Sequence, residues 1–224
     1  MRIDILTLFP EMFAPLKESV IGRALDSGKA EIVITDIRDY TADKHKKCDD
    51  TPFGGGAGMV MTAQPIASAI EAVDPEHKAR RVYLSPKGRK FCQAVVKEYA
   101  ALDRILLLCG HYEGIDQRVI DLFIDEELSI GDYVLTGGEI PAMAVTDAVM
   151  RYVDGVINGD SLEQESFADG MLEYPQYTKP REFMGLTVPE VLISGDHGKI
   201  DEWRKAQSEK ITAKNRPDLL KGDK

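Results

Sequence analysis

Apolar and polar positions along this 224-residue chain follow two alternating periods. A short apolar run bounded by turn formers predicts a strand, and apolar residues three or four apart predict a helix. RIDILTLF (2–9) and EIVITDI (31–37) are short and rich in β-branched residues, so they read as two strands. QPIASAIEAV (64–73) has Pro65 near its start and Ile66, Ile70 and Val73 on one face, which predicts a helix. RVYLS (81–85) reads as a strand; Pro86 follows, then Phe91, Val95, Tyr99 and Leu102 at helical spacing. RILLLCG (104–110) is an unbroken apolar run ending in glycine, the pattern of a strand buried on both faces. DQRVIDLFI (116–124) is helical, and Val145, Ala148, Val149 and Tyr152 mark one stripe of a further helix. The alternation of strand and helix predicts an α/β domain over residues 1–157.

The pattern then changes. NGDSLEQESFADGMLEYPQYTKPREFMG (158–185) is polar, with Gly, Pro and aromatics and little periodicity. We read residues 158–172 as an interdomain linker and 173–224 as a small all-α domain. Its helical stripe is Val191 and Leu192, then Ile200, Trp203, Gln207 and Ile211. No internal repeat is visible.

Inside the first domain, SIGDYVLTGGEIPAM (129–143) interrupts an apolar stretch with three glycines, two acids and a proline. It reads as strand end, loop and helix start, with Pro141 in the first helical turn. YLSPKG (83–88) and CGHYEG (109–114) have the same character. In an open α/β sheet, ligands bind in the crevice at strand C-termini. If these three strands are neighbours, their loops line one crevice; otherwise they are ordinary tight turns. Backbone groups there could bond a heterocycle edge, Tyr83, Tyr112, Leu135 and Pro141 could pack on its faces, and Glu113 or Asp132 could hold hydroxyls or a cationic group. A phosphate-cradling loop is disfavoured. The chain lacks GxxxxGK[ST], and GGGAGM (54–59) has Met59 where the last glycine of GxGxxG belongs. KHKKCDDTPFGGGAGM (44–59) reads instead as a long loop.

Composition adds bounds. The chain is 43% hydrophobic and 29% charged, a globular balance. MRIDILTLFP carries Asp4 and no cleavage site, so it is a strand and not a signal peptide. No apolar stretch has the ~18 residues of a membrane span. Cys48, Cys92 and Cys109 form no CxxC pair, which fits a reducing cytoplasm and neither disulfides nor a zinc site. The four histidines, at 45, 77, 111 and 197, show no metal-ligand spacing either. The net charge of −10 argues against nucleic acid as a partner, but distribution outweighs the sum. Residues 199–224 carry eight Lys and Arg against five Asp and Glu, a mildly basic tail on an acidic body. A solvated helix face would look the same.

LFPEMF (8–13), GGGAGM (54–59), LSPKG (84–88), CGHYEGIDQRV (109–119), SIGDYVLTGGE (129–139) and YPQYTKP (174–180) occur in order along most of the chain. Together they resemble the bacterial tRNA (guanine-37-N1)-methyltransferase family of the SPOUT superfamily. The resemblance implies an α/β fold with a SPOUT-type parallel sheet and a deep trefoil knot, and a homodimer whose active site spans the interface. It implies S-adenosyl-L-methionine as methyl donor and methylation of N1 of guanosine 37, next to the anticodon, which prevents frameshifting. The tRNA would carry another guanosine before position 37. A magnesium (Mg2+) requirement is also a family trait, with no ligand set visible in the sequence.

By the same resemblance, cofactor contacts fall on Tyr83, Leu84, Ser85, Pro86, Gly88, Gly110, Tyr112, Glu113, Gly114, Ile130, Gly131, Tyr133, Val134, Leu135, Gly137, Gly138 and Pro141. N1 of guanine carries a proton and is a poor nucleophile until a base removes it, while the exocyclic oxygen gathers negative charge. The chemistry therefore needs one carboxylate base and one cationic or hydrogen-bonding partner. Arg151 matches the family's essential arginine. The family has Asp before Ser-Phe in the linker; here EQESF puts Glu165 at that position, with Glu163 and Asp169 as fallbacks. The resemblance assigns substrate contacts to Asp50, Gly56, Ser166, Tyr177, Lys179, Arg181, His197 and Arg204, with Trp203, Lys205 and Lys214 as further candidates. Trp203 also sits on the apolar stripe, where packing alone would explain it. Three competitors remain: a SPOUT enzyme acting on a ribose hydroxyl of another RNA, a non-catalytic RNA- or adenosyl-binding protein, and a nicotinamide oxidoreductase. The YPQYTKP block argues against the first and the missing dinucleotide fingerprint against the third.

Overall fold

A computed structural model of the chain describes residues 1–157, 159, 162 and 165–221. It divides into two compact units, Met1–Ile157 and Asn158–Lys224.

The first unit is built on a five-stranded sheet. Its strands are β1 (Arg2–Thr7), β2 (Glu31–Asp36), β5 (Arg80–Lys90), β6 (Arg104–Cys109) and β7 (Glu126–Ser129), in the order β2-β1-β6-β5-β7. Every pairing in it is parallel. Two further strands, β3 (Asp49–Asp50) and β4 (Val60–Met61), make a short antiparallel ribbon. The helices are α1 (Ser19–Asp26), α2 (Ala63–Val73), α3 (Gln93–Ala100), α4 (Gln117–Phe123) and α5 (Glu139–Met150).

The unbroken apolar runs have a direct cause: both faces of the sheet are covered. Ile3 and Ile5 of β1, with Ile105, Leu107 and Cys109 of β6, join a core with Val95, Tyr99, Val145 and Val149. Their sequence neighbours Leu6, Leu106 and Leu108 point the other way, into a core with Ile66, Ile70 and Val119. Side chains alternate across a strand, so two-sided burial requires every position to be apolar. One charged exception is Asp4, fully buried in β1 and bonded by Arg104 at 2.7 Å and Arg2 at 2.8 Å.

Three local features depart from the pattern-based reading. The strand expected over 81–85 runs on to Lys90, because both Leu84 and Arg89 pair with Leu128 and residues 85–88 bulge out between them. A 3-10 helix over Pro10–Lys17 and the eight-residue α1 fill a span where no element was expected. Their apolar anchors, Phe13, Leu16, Ile21 and Ala24, are the signal that could have found them.

Among its described residues, the second unit has one long helix, α6 (His197–Asn215), capped by the Asp196 carboxylate accepting from Lys199 N–H at 3.2 Å. A 3-10 turn covers Glu190–Ile193. The expectation of an all-α unit is corrected here: β8 (Glu182–Phe183) and β9 (Leu186–Thr187) form an antiparallel ribbon. Met184 and Gly185 between them both have positive φ, at 51° and 81°, the pairing that a two-residue hairpin turn demands. The described part of the expected linker also packs within this unit. Leu172 N–H donates to Thr212 Oγ1 at 2.9 Å, and the Arg216 guanidinium lies 5.8 Å from the Phe167 ring. Among the described residues, no helix is long and apolar enough to cross a membrane.

Candidate active site

β6, β5 and β7 are adjacent, so the loops after their C-terminal ends meet. They enclose a crevice of about 250 Å³. Every residue that the resemblance assigned to the cofactor lines it, except Gly88. Lys87, His111, Ile115, Gln117, Ile120, Glu127, Leu128, Ser129 and Thr136 complete the wall.

Gly88 has a different task. A Cβ added there would stand 2.3 Å from Leu128 N and 2.3 Å from the Glu127 carbonyl carbon. The 85–88 bulge therefore crosses directly on the backbone of β7, and only a residue without a side chain fits. Gly138 does the same between the other two loops. Its Cβ would lie 2.6 Å from Cys109 Cα, and its N–H donates to Gly110 O at 2.9 Å. An isolated bridge between His111 and Gly137 adds a second tie.

Side chains reinforce this junction. Glu139, at the start of α5, is 1% exposed; its Oε1 accepts from Thr7 Oγ1 and its Oε2 meets His111 Nε2, both at 2.7 Å. Phe9 packs on the His111 ring with centroids 4.7 Å apart. Burial, reinforced by Glu139, pushes the Cys109 thiol well above its ordinary pKa, so it stays neutral. Burial, with Glu127 adding to it, pushes Tyr83 up to about 12, which keeps its phenol a donor at neutral pH.

The crevice suits a ligand with an apolar face and a positive or donor-rich side. Tyr83, Tyr112, Leu135 and Pro141 are the apolar contribution. Val134 and Tyr133 stand 83% and 54% exposed on the 130–138 loop, where a ligand would cover apolar surface. Glu127 Oε2 is buried on the crevice wall with no hydrogen-bond partner. A buried carboxylate oxygen without a donor is costly, so a cationic or hydroxyl-bearing ligand would relieve it. S-adenosylmethionine, with an adenine ring, ribose hydroxyls, an ammonium and a sulfonium, fits that donor set.

The residues expected to do chemistry line other cavities. Arg151 caps the C-terminus of α5 and is half-buried. It lines a separate cavity of about 300 Å³ with Pro15, Leu16, Ile21, Met143 and Asp147. Glu165, in the second unit, lines a cavity of about 320 Å³ with Asp169, Tyr174, Asp201, Arg204 and Ser208. Of its fallbacks, Glu163 lies outside the described residues, and Asp169 accepts from Met171 N–H at 3.2 Å.

The residues expected to touch substrate fall in two groups. In the first unit, Asp50 is exposed in β3 and Gly56 lies in the exposed glycine loop. In the second, Ser166 Oγ accepts from Glu173 N–H at 3.0 Å. Tyr177, Lys179, Arg181 and His197 are exposed. Trp203 is half-buried with its ring 6.2 Å from that of Tyr177. The Arg204 guanidinium lies 4.8 Å over the Tyr174 ring, and its Nε is buried without a hydrogen-bond partner. Sequence reasoning missed Glu127, which no motif spacing marked, and the Glu139–His111–Thr7 chain, whose members are up to 132 residues apart.

Comparison with known proteins settles the lineage. The family model described as tRNA (Guanine-1)-methyltransferase TrmD matches residues 1–222. The chain belongs to the TrmD family. A Clostridium botulinum (strain Langeland) protein named tRNA (guanine-N(1)-)-methyltransferase is 54% identical over 222 residues, covering 99% of this chain and 92% of the relative. Proteins of that name from Alkaliphilus oremlandii and Clostridioides difficile are 55% and 53% identical over 230 and 226 residues. The first covers 99% of this chain and 92% of its own length, the second 99% and 98%.

Proposed function

We propose that this TrmD-family chain transfers a methyl group from S-adenosylmethionine to N1 of guanosine 37 of a tRNA, where another guanosine precedes it. The observation that carries this reading is the single crevice made by the three glycine-bearing loops, with the buried, unpartnered Glu127 oxygen on its wall. The curated relatives' names support tRNA guanine N1 as the acceptor. The methylated base beside the anticodon would guard the reading frame, and the enzyme would work in the cytoplasm.

The bound donor supplies a methyl carbon already activated by its sulfonium. This chain's residues do the rest. The loops at 84–86, 110–114 and 130–138 would hold the donor. Glu165 takes the proton from guanine N1, turning a poor nucleophile into a competent one. Arg151 faces the negative charge that grows on the exocyclic oxygen. Glutamate keeps the carboxylate of the family's usual aspartate and adds one methylene. The target nucleotide leaves its stack to reach the methyl group, the general solution for chemistry on a base.

Two further parts belong to the same reading. The trefoil knot of the SPOUT superfamily is supported by the family match. A homodimer with composite sites is supported by Arg151, which does not line the crevice of its own chain. Tyr177, Lys179, Arg181, His197 and Arg204 would grip the anticodon arm. A magnesium requirement is part of the proposal without an assigned site; among the described residues, no group of three or more His, Cys, Asp or Glu could hold a metal ion.

The test is methyl transfer from labelled S-adenosylmethionine to two transcripts that differ only in guanosine or adenosine at position 37. Label on the first alone is the expected result. Label on neither, or equally on both, would refute the assignment.

A further inference from the structure

We propose that Phe53 is a stacking residue for the RNA, placing its ring against an unpaired base of the anticodon loop while the target guanosine is out of the stack. The inference rests on the proposed function and extends it to a residue for which the sequence offered no role.

Phe53 is fully exposed, with a relative accessibility of 102%. It opens a loop in which Gly54, Gly55, Gly56 and Gly58 all have positive φ. A Cβ at Gly54, Gly55 or Gly56 would meet no atom within 4 Å, so this loop stands clear of the rest of the unit. Between residues 53 and 58 the phenyl ring is the only side chain larger than a methyl group. Among the described residues, nothing covers the ring.

The loop is nevertheless tied to the crevice. It returns through β4, where Glu113 N–H donates to Met59 O and Met61 N–H to Gly114 O, both at 3.0 Å. A bridge joins Met61 to Ile115. The ring is thus carried by the same backbone ladder that holds the 110–114 loop.

The approach to the loop carries cations set among acids. Lys44, His45, Lys46 and Lys47 are consecutive and exposed, with Asp43 before them and Asp49 and Asp50 after. Lys46 pairs with Asp39 at 2.6 Å and Lys47 lies 3.9 Å from Asp50, while no ion pair engages Lys44 among the described residues. Local cations beside an exposed aromatic are the combination that holds single-stranded nucleic acid: cations track the phosphates and rings take the base faces. Extruding a nucleotide leaves its neighbours with an uncovered face, and a ring on a glycine-hinged loop can adapt to cover it.

The experiment uses the full chain, a guanosine-37 tRNA transcript and labelled S-adenosylmethionine. Phe53→Ala is expected to lower kcat/KM for tRNA by about 5- to 100-fold, the usual worth of one base–aromatic stack, with donor affinity by calorimetry unchanged. Phe53→Trp and Phe53→Tyr are expected to restore activity, and Phe53→Leu to fail, because leucine is apolar but has no π-face. Wild-type kinetics for Phe53→Ala, or full restoration by Phe53→Leu, would overturn the proposal and leave the proposed function intact. An altered sedimentation coefficient for Phe53→Ala with unchanged tRNA kinetics would reassign the ring to contact between copies and also overturn it. No transfer by the wild-type chain would instead sink the proposed function, and this inference with it.

Discussion

Gly138→Ala tests whether the crevice depends on loops pressed into contact. The glycine has φ −81° and ψ −7°, an ordinary conformation, so the backbone angle itself would cost alanine nothing. The space does. The new methyl would stand 2.6 Å from Cys109 Cα, 2.9 Å from Gly110 N and 3.0 Å from Cys109 Cβ. Carbon atoms pack at about 3.5–4.0 Å, so the chains must separate by about 1 Å. The neighbour that would have to yield is the end of β6, a central strand whose residues 105–109 are fully or almost fully buried. Overpacking of this kind costs about 1–3 kcal/mol. Separation also weakens the 2.9 Å bond from Gly138 N–H to Gly110 O, adding about 0.5–1.5 kcal/mol. At about 2–4 °C per kcal/mol for a chain of this size, Tm should fall by roughly 3–18 °C. Because the displaced segments are the crevice walls, the affinity for S-adenosylmethionine should fall at least about tenfold, or about 1.4 kcal/mol. Scanning fluorimetry and calorimetry read the two effects. Gly198→Ala is the control: the nearest atom to its Cβ is 3.6 Å away, in the first turn of α6. It should be neutral or stabilising by up to about 1 kcal/mol. If Gly138→Ala melts and binds like the wild type, the close approach does not hold the crevice in shape.

Three further outcomes are expected. Glu165→Gln should lose about 10²-fold or more in turnover with donor binding intact, while Glu165→Asp keeps activity; a Gln variant with full single-turnover rate would remove Glu165 from the base role. Arg151→Ala should lower kcat by about 10²–10³-fold and leave donor affinity within about twofold, read by calorimetry alongside rates. Asp74→Ala should cost about 3–5 kcal/mol, because it strands the buried Arg81 guanidinium whose Nε lies 2.8 Å from the Asp74 carboxylate. That loss should depend on pH. Burial works to raise the Asp74 pKa, but the Arg81 hydrogen bond and the Lys78 and Ala79 N–H groups outweigh it and hold the carboxyl below its ordinary value. A depressed folded pKa gives stability that is present above the unfolded value of about 3.9 and lost as pH falls through the folded one. The Tm gap between wild type and Asp74→Ala should therefore be full at pH 7 and close below about pH 4; a gap unchanged down to pH 2 would refute the ion-pair account.

What the sequence showed and what it hid have one physical division. RILLLCG was legible because burial on two faces leaves a one-dimensional trace: every position must be apolar. The three loops were legible for a related reason, since glycine beside a strand end marks backbone that must bend or approach closely. The bulge at 85–88 was hidden because its cause is β7, a four-residue strand whose Leu128 lies 40 positions beyond Gly88, and nothing local to SPKG states that partner. The Met184–Gly185 hairpin was hidden because methionine is an unusual first turn residue there, and its positive φ is set by the pairing of Phe183 with Leu186.

The same division explains why the residues proposed for chemistry are scattered while those proposed for binding are contiguous. A crevice can be walled by three neighbouring loops, because sheet topology brings strand ends together without help from side chains. A proton acceptor and a charge stabiliser serve the substrate and not the donor. Arg151 stands at a helix end outside the crevice lining, and Glu165 belongs to the other unit of the chain. On the proposed function, donor binding and activation of guanine would then fall to different residues. Substitutions in the crevice loops should therefore appear first in donor affinity, and substitutions at Arg151 or Glu165 first in turnover. If Glu165→Gln and Gly138→Ala lowered donor affinity and turnover in the same ratio, binding and activation would not be separable, and the assignment of Glu165 as a base acting apart from the donor pocket would fail.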